Sequence, residues 1–284
     1  LEGSPPVTEA SPGTAGRTAG SLSRFFYEMH EGARRQSNVV FALIFRELKT
    51  KSGQDNYGIL SLVGIVLEPA IGVITLTLFW YLLKRQEVLG VHVALFLAVS
   101  ATGFAIARRS FSSIPRTVKS SRSFYTYPSV KPFDAVAARF IIELVLTFMG
   151  GLLVLFLVWW FLDLTISMQH FVQGMRIYAE LIFFAFGMSL ILGIYGTRFP
   201  IVMSIFSNVS RVMFFVSAVI HPASELPAAA QVLIQWNPFA HAMELGRLYL
   251  LDIKPFDGAS EAYLAGWALA FMAFGFVAYY ANRN

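Results

Sequence analysis

The sequence predicts an all-α integral membrane protein: six transmembrane helices, an N-terminal amphipathic interfacial helix, and a re-entrant helical hairpin between spans 5 and 6. Hydrophobic residues make up 56% of the 284 residues, and the mean hydropathy is +0.60, values typical of membrane proteins. Apolar runs near the roughly 20 residues needed to cross a bilayer recur along most of the chain. The chain contains no cysteine, which excludes disulfides and cysteine nucleophiles.

The N-terminal segment, residues 1–37, is predicted to be flexible and cytoplasmic, since its first part is rich in Pro, Gly, Ser and Thr. An amphipathic helix follows at 38–52, where apolar residues recur at helical spacing and charges gather towards the C-terminal end. We expect this helix to lie along the cytoplasmic membrane surface, although an ordinary basic flank of the first span remains an alternative. Its charged residues are Arg46, Glu47, Lys49 and Lys51.

Six apolar segments are predicted to span the membrane, so both ends of the chain share one side. Basic residues crowd the N-terminal segment and the loop 108–133, which places both in the cytoplasm by the positive-inside rule. Lys84 and Arg85 then fall outside and are outnumbered, and Trp80-Tyr81 is interpreted as part of an interfacial aromatic belt. The predicted spans are 59–83, 90–107, 134–161, 177–196, 201–221 and 263–281.

The cytoplasmic loop 108–133 mixes basic residues with large apolar ones, including Phe111, Ile114, Phe124 and Tyr125. Exposed aromatics are not needed to set topology, so we expect this loop to dock on a partner protein. The alternative is a basic loop that touches only lipid headgroups.

Residues 222–252 are too apolar for a soluble loop and too interrupted to cross a bilayer. Pro222 and Pro227 break the chain, and the helix predicted for 228–234 is only about 10 Å long. Trp236-Asn237-Pro238 forces a turn, and 239–251 is predicted to form one more helix. Broken backbone at membrane depth must be covered by protein or line a wet cavity, which suggests a channel or a transporter.

Charged residues inside the predicted spans form a possible intramembrane charge layer: Glu68, Arg139, Glu143 and Arg211. Such charges are normally turned inward and paired. Arg139 and Glu143 are four residues apart on one helix face, and Arg211 is predicted to meet Glu68 from another helix. Glu68-Pro69 should also kink the first span. Static packing and a gating role both remain open.

Motifs for catalysis or nucleotide binding are missing from this sequence. It contains no Gly-x-x-x-x-Gly-Lys-[Ser/Thr] phosphate loop, and its five histidines are scattered. His241 and Glu244 lie three apart, but we interpret them as capping or turn-fixing residues rather than as a metal or acid–base site. We therefore expect no catalytic residue, no metal and no cofactor in this chain.

The order of these features resembles the membrane subunit of an ABC-2 type exporter, and most closely the inner-membrane permease of capsular polysaccharide export. The resemblance covers about residues 38–284. The residues that carry it are Arg46-Glu47-Leu48, Glu68-Pro69, Tyr127-Pro128, Pro132-Phe133-Asp134, Arg139, Glu143, Ser217, Pro222, Leu226-Pro227, Trp236-Asn237-Pro238, His241, Glu244 and Arg247.

This resemblance implies a homodimer in the bacterial inner membrane that binds two copies of a separate ATPase, which holds the ATP and magnesium. The substrate implied is an acidic, lipid-linked polysaccharide, handed to periplasmic and outer-membrane export proteins; membrane lipid surrounds the chain, and nucleic acid has no role. The hairpin 222–252 would shape the outer end of the pathway. The residues implied to couple to the ATPase are Arg46, Glu47, Ile114, Arg116, Phe124 and Tyr125.

Three other functions remain open at this stage. An ABC-2 exporter of O-antigen, teichoic acid or another lipid shares the expected fold. An integral-membrane glycosyl or acyl transferase would use the broken hairpin as an active-site cap, although the ionisable residues are dispersed over several spans rather than gathered at one site. A plain channel is a further alternative, made less attractive by the docking-like loop.

Overall fold

A computed structural model describes residues 14–53, 59–121 and 130–282, and these residues are predominantly helical. A short β-hairpin joins the second and third helices, and its two strands, β1 (Glu87–Val88) and β2 (Val91–His92), have two residues each. The helices are α1 (Thr14–Gly53), α2 (Ile59–Leu82), α3 (Val93–Ser120), α4 (Pro132–Leu162), α5 (Phe171–Arg198), α6 (Pro200–Val216), α7 (Ala228–Ile234), α8 (Pro238–Leu251) and α9 (Glu261–Ala281).

Five of the helices in the described part of the chain, α2, α3, α4, α5 and α9, are long and apolar enough to cross a membrane. A sixth apolar helix, α6, is shorter. The prediction of an all-α integral membrane protein is therefore confirmed at the level of class.

Helix α5 runs through the middle of the larger hydrophobic core, where Ile177 and Leu181 are fully buried. It crosses α9 so closely that a Cβ on Gly187 would lie 2.4 Å from the carbonyl carbon of Phe271. Gly275 of α9 meets the Gly187 backbone in the same way. Small residues let apolar membrane helices approach each other at backbone distance, so this crossing depends on both glycines.

Helix α3 continues well past the predicted span end at residue 107, so residues 108–120 of the predicted loop are helical. Hydroxyls within this stretch satisfy carbonyls one turn earlier, as Ser110 does with Ile106 and Thr117 with Ser113. The loop prediction was wrong here because Arg108 and Arg109, which suggested the end of the span, pair with Glu68 of α2. Phe124 and Tyr125 lie outside the described residues.

The chain departs from the predicted boundaries at two other places. Helix α1 begins at Thr14, so the prediction of a flexible segment is wrong for residues 14–37; residues 1–13 lie outside the described part. The Glu31–Arg35 ion pair one turn apart contributes to this extension. Helix α6 ends at Val216 rather than at residue 221, shortly before Ala218 takes up a positive φ of 55°.

The interrupted region after α6 follows the sequence prediction closely. Pro222 precedes a single 3-10 turn (Ala223–Glu225), and Pro227 precedes α7, whose bounds are those predicted. Asn237 caps α8 by accepting a hydrogen bond from the Phe239 amide. The proline residues thus separate the short elements as expected from their fixed φ and missing N–H.

Candidate functional site: a charged groove and a buried hairpin anchor

A groove of about 1140 Å³ lies among α1 to α6 and is rich in charge. All four residues of the predicted charge layer line it, so helices far apart in sequence bring these side chains to one place. Cations outnumber carboxylates among its charged residues, which are Arg108, Arg109, Arg116, Lys119, Arg139, Arg211, Glu47, Glu68 and Glu143.

Glu68 of α2 pairs with α3, not with Arg211 as predicted. Its carboxylate accepts a hydrogen bond of 2.7 Å from Arg109 and lies 3.7 Å from Arg108. Arg211 is exposed and makes no ion pair with any described residue. The prediction failed because α3 was expected to end at residue 107, whereas its continuation carries both arginines past α2.

Arg109 also compensates for the proline in α2. Because Pro69 has no N–H, the carbonyl of Ile65 one turn earlier loses its helical partner. The guanidinium of Arg109 donates to that carbonyl at 2.9 Å as well as to Glu68. One buried cation therefore satisfies both the broken backbone and the acidic side chain that precedes the break.

Arg139 of α4 forms the second ion-pair cluster of the groove. It lies 2.8 Å from Glu143, which confirms the predicted pair one turn apart. It also reaches Glu47 of α1 at 3.3 Å, and the neighbouring Arg46 donates to Ser121 at the end of α3. Helix α1 is thus tied to α3 and α4 through residues that the sequence had suggested for ATPase coupling.

The other predicted coupling residues lie in different environments. Ile114 is fully buried against the core, so it does not present a surface to a partner. Arg116 is exposed and lines the groove. Ile114 was expected on a docking surface because a loop was predicted there; the run of Ser110, Ser113 and Thr117 at helical spacing was the available signal for a helix.

Arg247 of α8 is completely buried. Together with Glu244 it holds the interrupted region in place, and we call this pair the hairpin anchor. Its guanidinium donates to Ser100 of α3 at 2.7 Å and to the Ala218 carbonyl at 2.6 Å, and it lies 4.4 Å above the Phe96 ring. Glu244, one turn earlier in α8, pairs with it at 2.5 Å. The positive-φ turn after α6 is therefore fixed directly to α3 and α8.

Further polar side chains hold the remaining turns. Glu244 accepts from the Ala223 amide at 2.8 Å, and Asn237 donates to Ser217 at 2.9 Å. His241 bonds the Gln235 carbonyl through Nε2 and accepts from the Ser260 amide through Nδ1. Both ring nitrogens of His241 are thus occupied, in line with the turn-fixing interpretation; among the described residues no cluster suited to a metal ion occurs.

A polar contact that the sequence did not suggest joins the first loop to the interrupted region. Arg85 forms an ion pair with Glu225 and lies 4.9 Å above the Trp80 ring, which in turn meets His221 edge to face. The hydrogen bond that Arg85 donates to Glu225 raises the pKa of Arg85. Trp80 is 3% exposed, so its assignment to an interfacial belt is wrong: these neighbours cover it.

Several membrane helices around a charged groove, with a polar-anchored interrupted segment at one end, define a transport protein. The family profile of ABC-2 type transporters matches residues 38–251, and the chain therefore belongs to the ABC-2 type transporter family. The matched region begins within α1 and ends with α8. It thus includes every residue named above in the groove and the hairpin anchor, except the Ser260 amide that bonds His241.

Curated relatives share this family and most of the chain length. The polysialic acid transport protein KpsM of Escherichia coli is 27% identical over 253 residues, 87% of this chain and 95% of that protein. The capsule polysaccharide export inner-membrane protein BexB of Haemophilus influenzae is 24% identical over 219 residues, 75% of this chain and 78% of BexB. CtrC of Neisseria meningitidis, of the same description, is 22% identical over 215 residues, with the same coverage of each chain.

Proposed function

We propose that the chain is the membrane-spanning permease subunit of an ATP-driven exporter that moves a capsular, acidic, lipid-linked polysaccharide across the inner membrane to the periplasm. The observation that carries the proposal is a cation-rich groove in an ABC-2 type chain whose relatives are named for capsule and polysialic acid export. An excess of fixed positive charge attracts a polyanion and raises its local concentration.

In the proposed topology α6 is the fifth of six spans, α7 and α8 form a re-entrant hairpin, and both termini are cytoplasmic. Helix α6 has 17 residues and is about 25 Å long, close to the thickness of a thin hydrocarbon core. Basic residues near the end of α3 and in α1 support a cytoplasmic position for that end of the bundle. The first loop and the 3-10 turn, joined by Arg85 and Glu225, then face the periplasm.

A homodimer is proposed because two of the apolar helices next to the groove are left largely uncovered. Ile71 and Leu78 of α2 are 60% and 61% exposed, and Val212 and Phe215 of α6 are 60% and 61% exposed. A second copy placed against α2 and α6 would close the open side of the groove into a pathway.

The proposed dimer binds two copies of a separate ATPase, which hold ATP and magnesium, and works with periplasmic and outer-membrane export proteins. Arg116 is an exposed candidate contact, and α1 provides a mechanical link because Glu47 bonds Arg139 in the groove wall. Movement of α1 by an ATPase would be transmitted to α4 through this ion pair. Phe124 and Tyr125 remain proposed contacts outside the described residues.

Complementation of a strain that lacks this gene tests the proposal. The wild-type chain should restore surface polysaccharide and co-purify with an ATPase. The groove variant K119Q/R211Q should lower export about tenfold because two cations of the groove are lost. R24Q/R34Q, which removes two exposed cations of α1 outside the groove, is the matched control. Equal export by both double variants would contradict the role of the groove.

A further inference from the structure

An aromatic pocket of about 210 Å³ lies among α3, α5, α6, α8 and α9. Phe239 is its centre: the ring lies 5.6 Å from Phe104, 5.1 Å from Phe184 and 6.2 Å from Phe111. These rings and the other apolar side chains that line the pocket surround it with few polar groups. The pocket therefore suits a hydrocarbon chain better than a sugar.

The pocket has two sides of different character. Trp236 and Val209, which line it, are 73% and 45% exposed, so one side opens on the molecular surface between α6 and the start of α8. On the other side it adjoins the charged groove, with which it shares four lining residues. These are Arg108, Phe111, Phe206 and Ser210.

Polar residues mark the boundary between the pocket and the groove. Ser210 of α6 lines both spaces and is only partly buried. Arg108 lines both spaces and its side chain is 48% exposed. A cation and a hydroxyl beside an apolar pocket can bind the oxygens of an anionic group.

We propose that the pocket and the adjoining part of the groove form one binding site for an anionic lipid, with an alkyl chain beside the Phe239 ring and its phosphate at Arg108 and Ser210. A guanidinium and a hydroxyl match phosphate oxygens, and the adjoining apolar pocket matches the chain attached to them. This site goes beyond the proposed function, because a bilayer phospholipid or the lipid anchor of a transported polymer would fill it equally well.

Native mass spectrometry of the purified full-length chain in detergent tests the pocket, with phosphatidylglycerol and phosphatidylcholine as the probes. Wild type should retain phosphatidylglycerol at least about tenfold better than phosphatidylcholine. V209W, which places a large side chain at the pocket mouth, should abolish that retention. I201W adds the same side chain to α6 at an exposed position outside the pocket and should bind like wild type. Equal retention of both lipids, or normal retention by V209W, would overturn the proposal.

The phosphate position is tested with R108Q, which should reduce the preference for phosphatidylglycerol to near that for phosphatidylcholine, whereas R34Q on exposed α1 should not. An unchanged preference in R108Q overturns the placement. Export by V209W identifies the natural lipid: a loss of export points to the polymer anchor, and normal export points to a bilayer phospholipid. Because binding is measured on the purified chain, it can succeed or fail independently of polysaccharide export.

Discussion

Two buried arginines show how the hairpin anchor and the groove differ. Arg247 and Arg109 are 0% and 8% exposed, each pairs with a carboxylate, and each leaves one N–H without a partner among the described residues. Their partners differ: the Glu244 side chain is 2% exposed, whereas that of Glu68 is 57% exposed. The pair in the anchor has no access to water, but the carboxylate in the groove does.

This difference in solvation separates a fixed contact from an exchangeable one. Breaking a fully buried ion pair leaves a charge that water cannot reach, so the anchor should keep one geometry throughout transport. A carboxylate at the groove wall can replace its contact with arginine by hydrogen bonds to water at little cost in free energy. We therefore expect stability to depend on the anchor and transport to depend on the groove.

The largest effect is expected for R247M. The substitution removes the cation and leaves Glu244 charged and buried, which should destabilise the fold by about 3 to 5 kcal/mol. The fraction of monodisperse protein after detergent extraction, together with the melting temperature, measures this loss. The double variant E244Q/R247M should recover part of the stability because no unpaired charge is left, while R34M at an exposed position should behave as wild type. A normal melting temperature for R247M would contradict the expectation that stability depends on the anchor.

A smaller effect on stability, but a larger one on transport, is expected for E68Q. Because the carboxylate is 57% exposed, its loss should change the melting temperature by less than about 4 °C. The polar tie between α2 and α3 is weakened, and export should fall about tenfold if α2 takes part in transport. Surface polysaccharide per cell measures export, and E28Q on the exposed face of α1 is the control. Full export by E68Q would assign Glu68 to packing alone.

The sequence predicted the interrupted region better than it predicted the groove, for a physical reason. Proline acts locally, so the break at Pro227 and the bounds of α7 followed from the residues alone. The contact between Arg247 and Ser100 could not be predicted in the same way, because the two residues lie 147 positions apart. Only the folded bundle brings those helices together.

The end of α3 illustrates the opposite case. Arg108 and Arg109 predict a loop if charge alone is counted, since an unpaired cation ends an apolar span. The Ile65 carbonyl, left free by Pro69 on another helix, and Glu68 give Arg109 its partners, so the helix continues. Neither the sequence of α2 nor that of α3 indicates this compensation by itself. For the same reason Glu68 was wrongly predicted to pair with Arg211.

The smallest expected effect concerns His221, which lies beyond the end of α6 and packs edge to face against Trp80. Burial lowers its pKa and outweighs the attraction of Glu225, while Arg85 lowers it further. The unfolded chain then binds the proton more readily, so this stabilisation is present above the ordinary value of 6.5 and is lost as pH falls through the folded pKa. H221F keeps a ring against Trp80. When the pH is lowered from about 7.5 to about 5.5, its melting temperature should fall less than that of wild type. H30F on exposed α1 controls for removing a histidine, and an identical pH response in H221F and wild type would show that protonation of His221 is not coupled to folding.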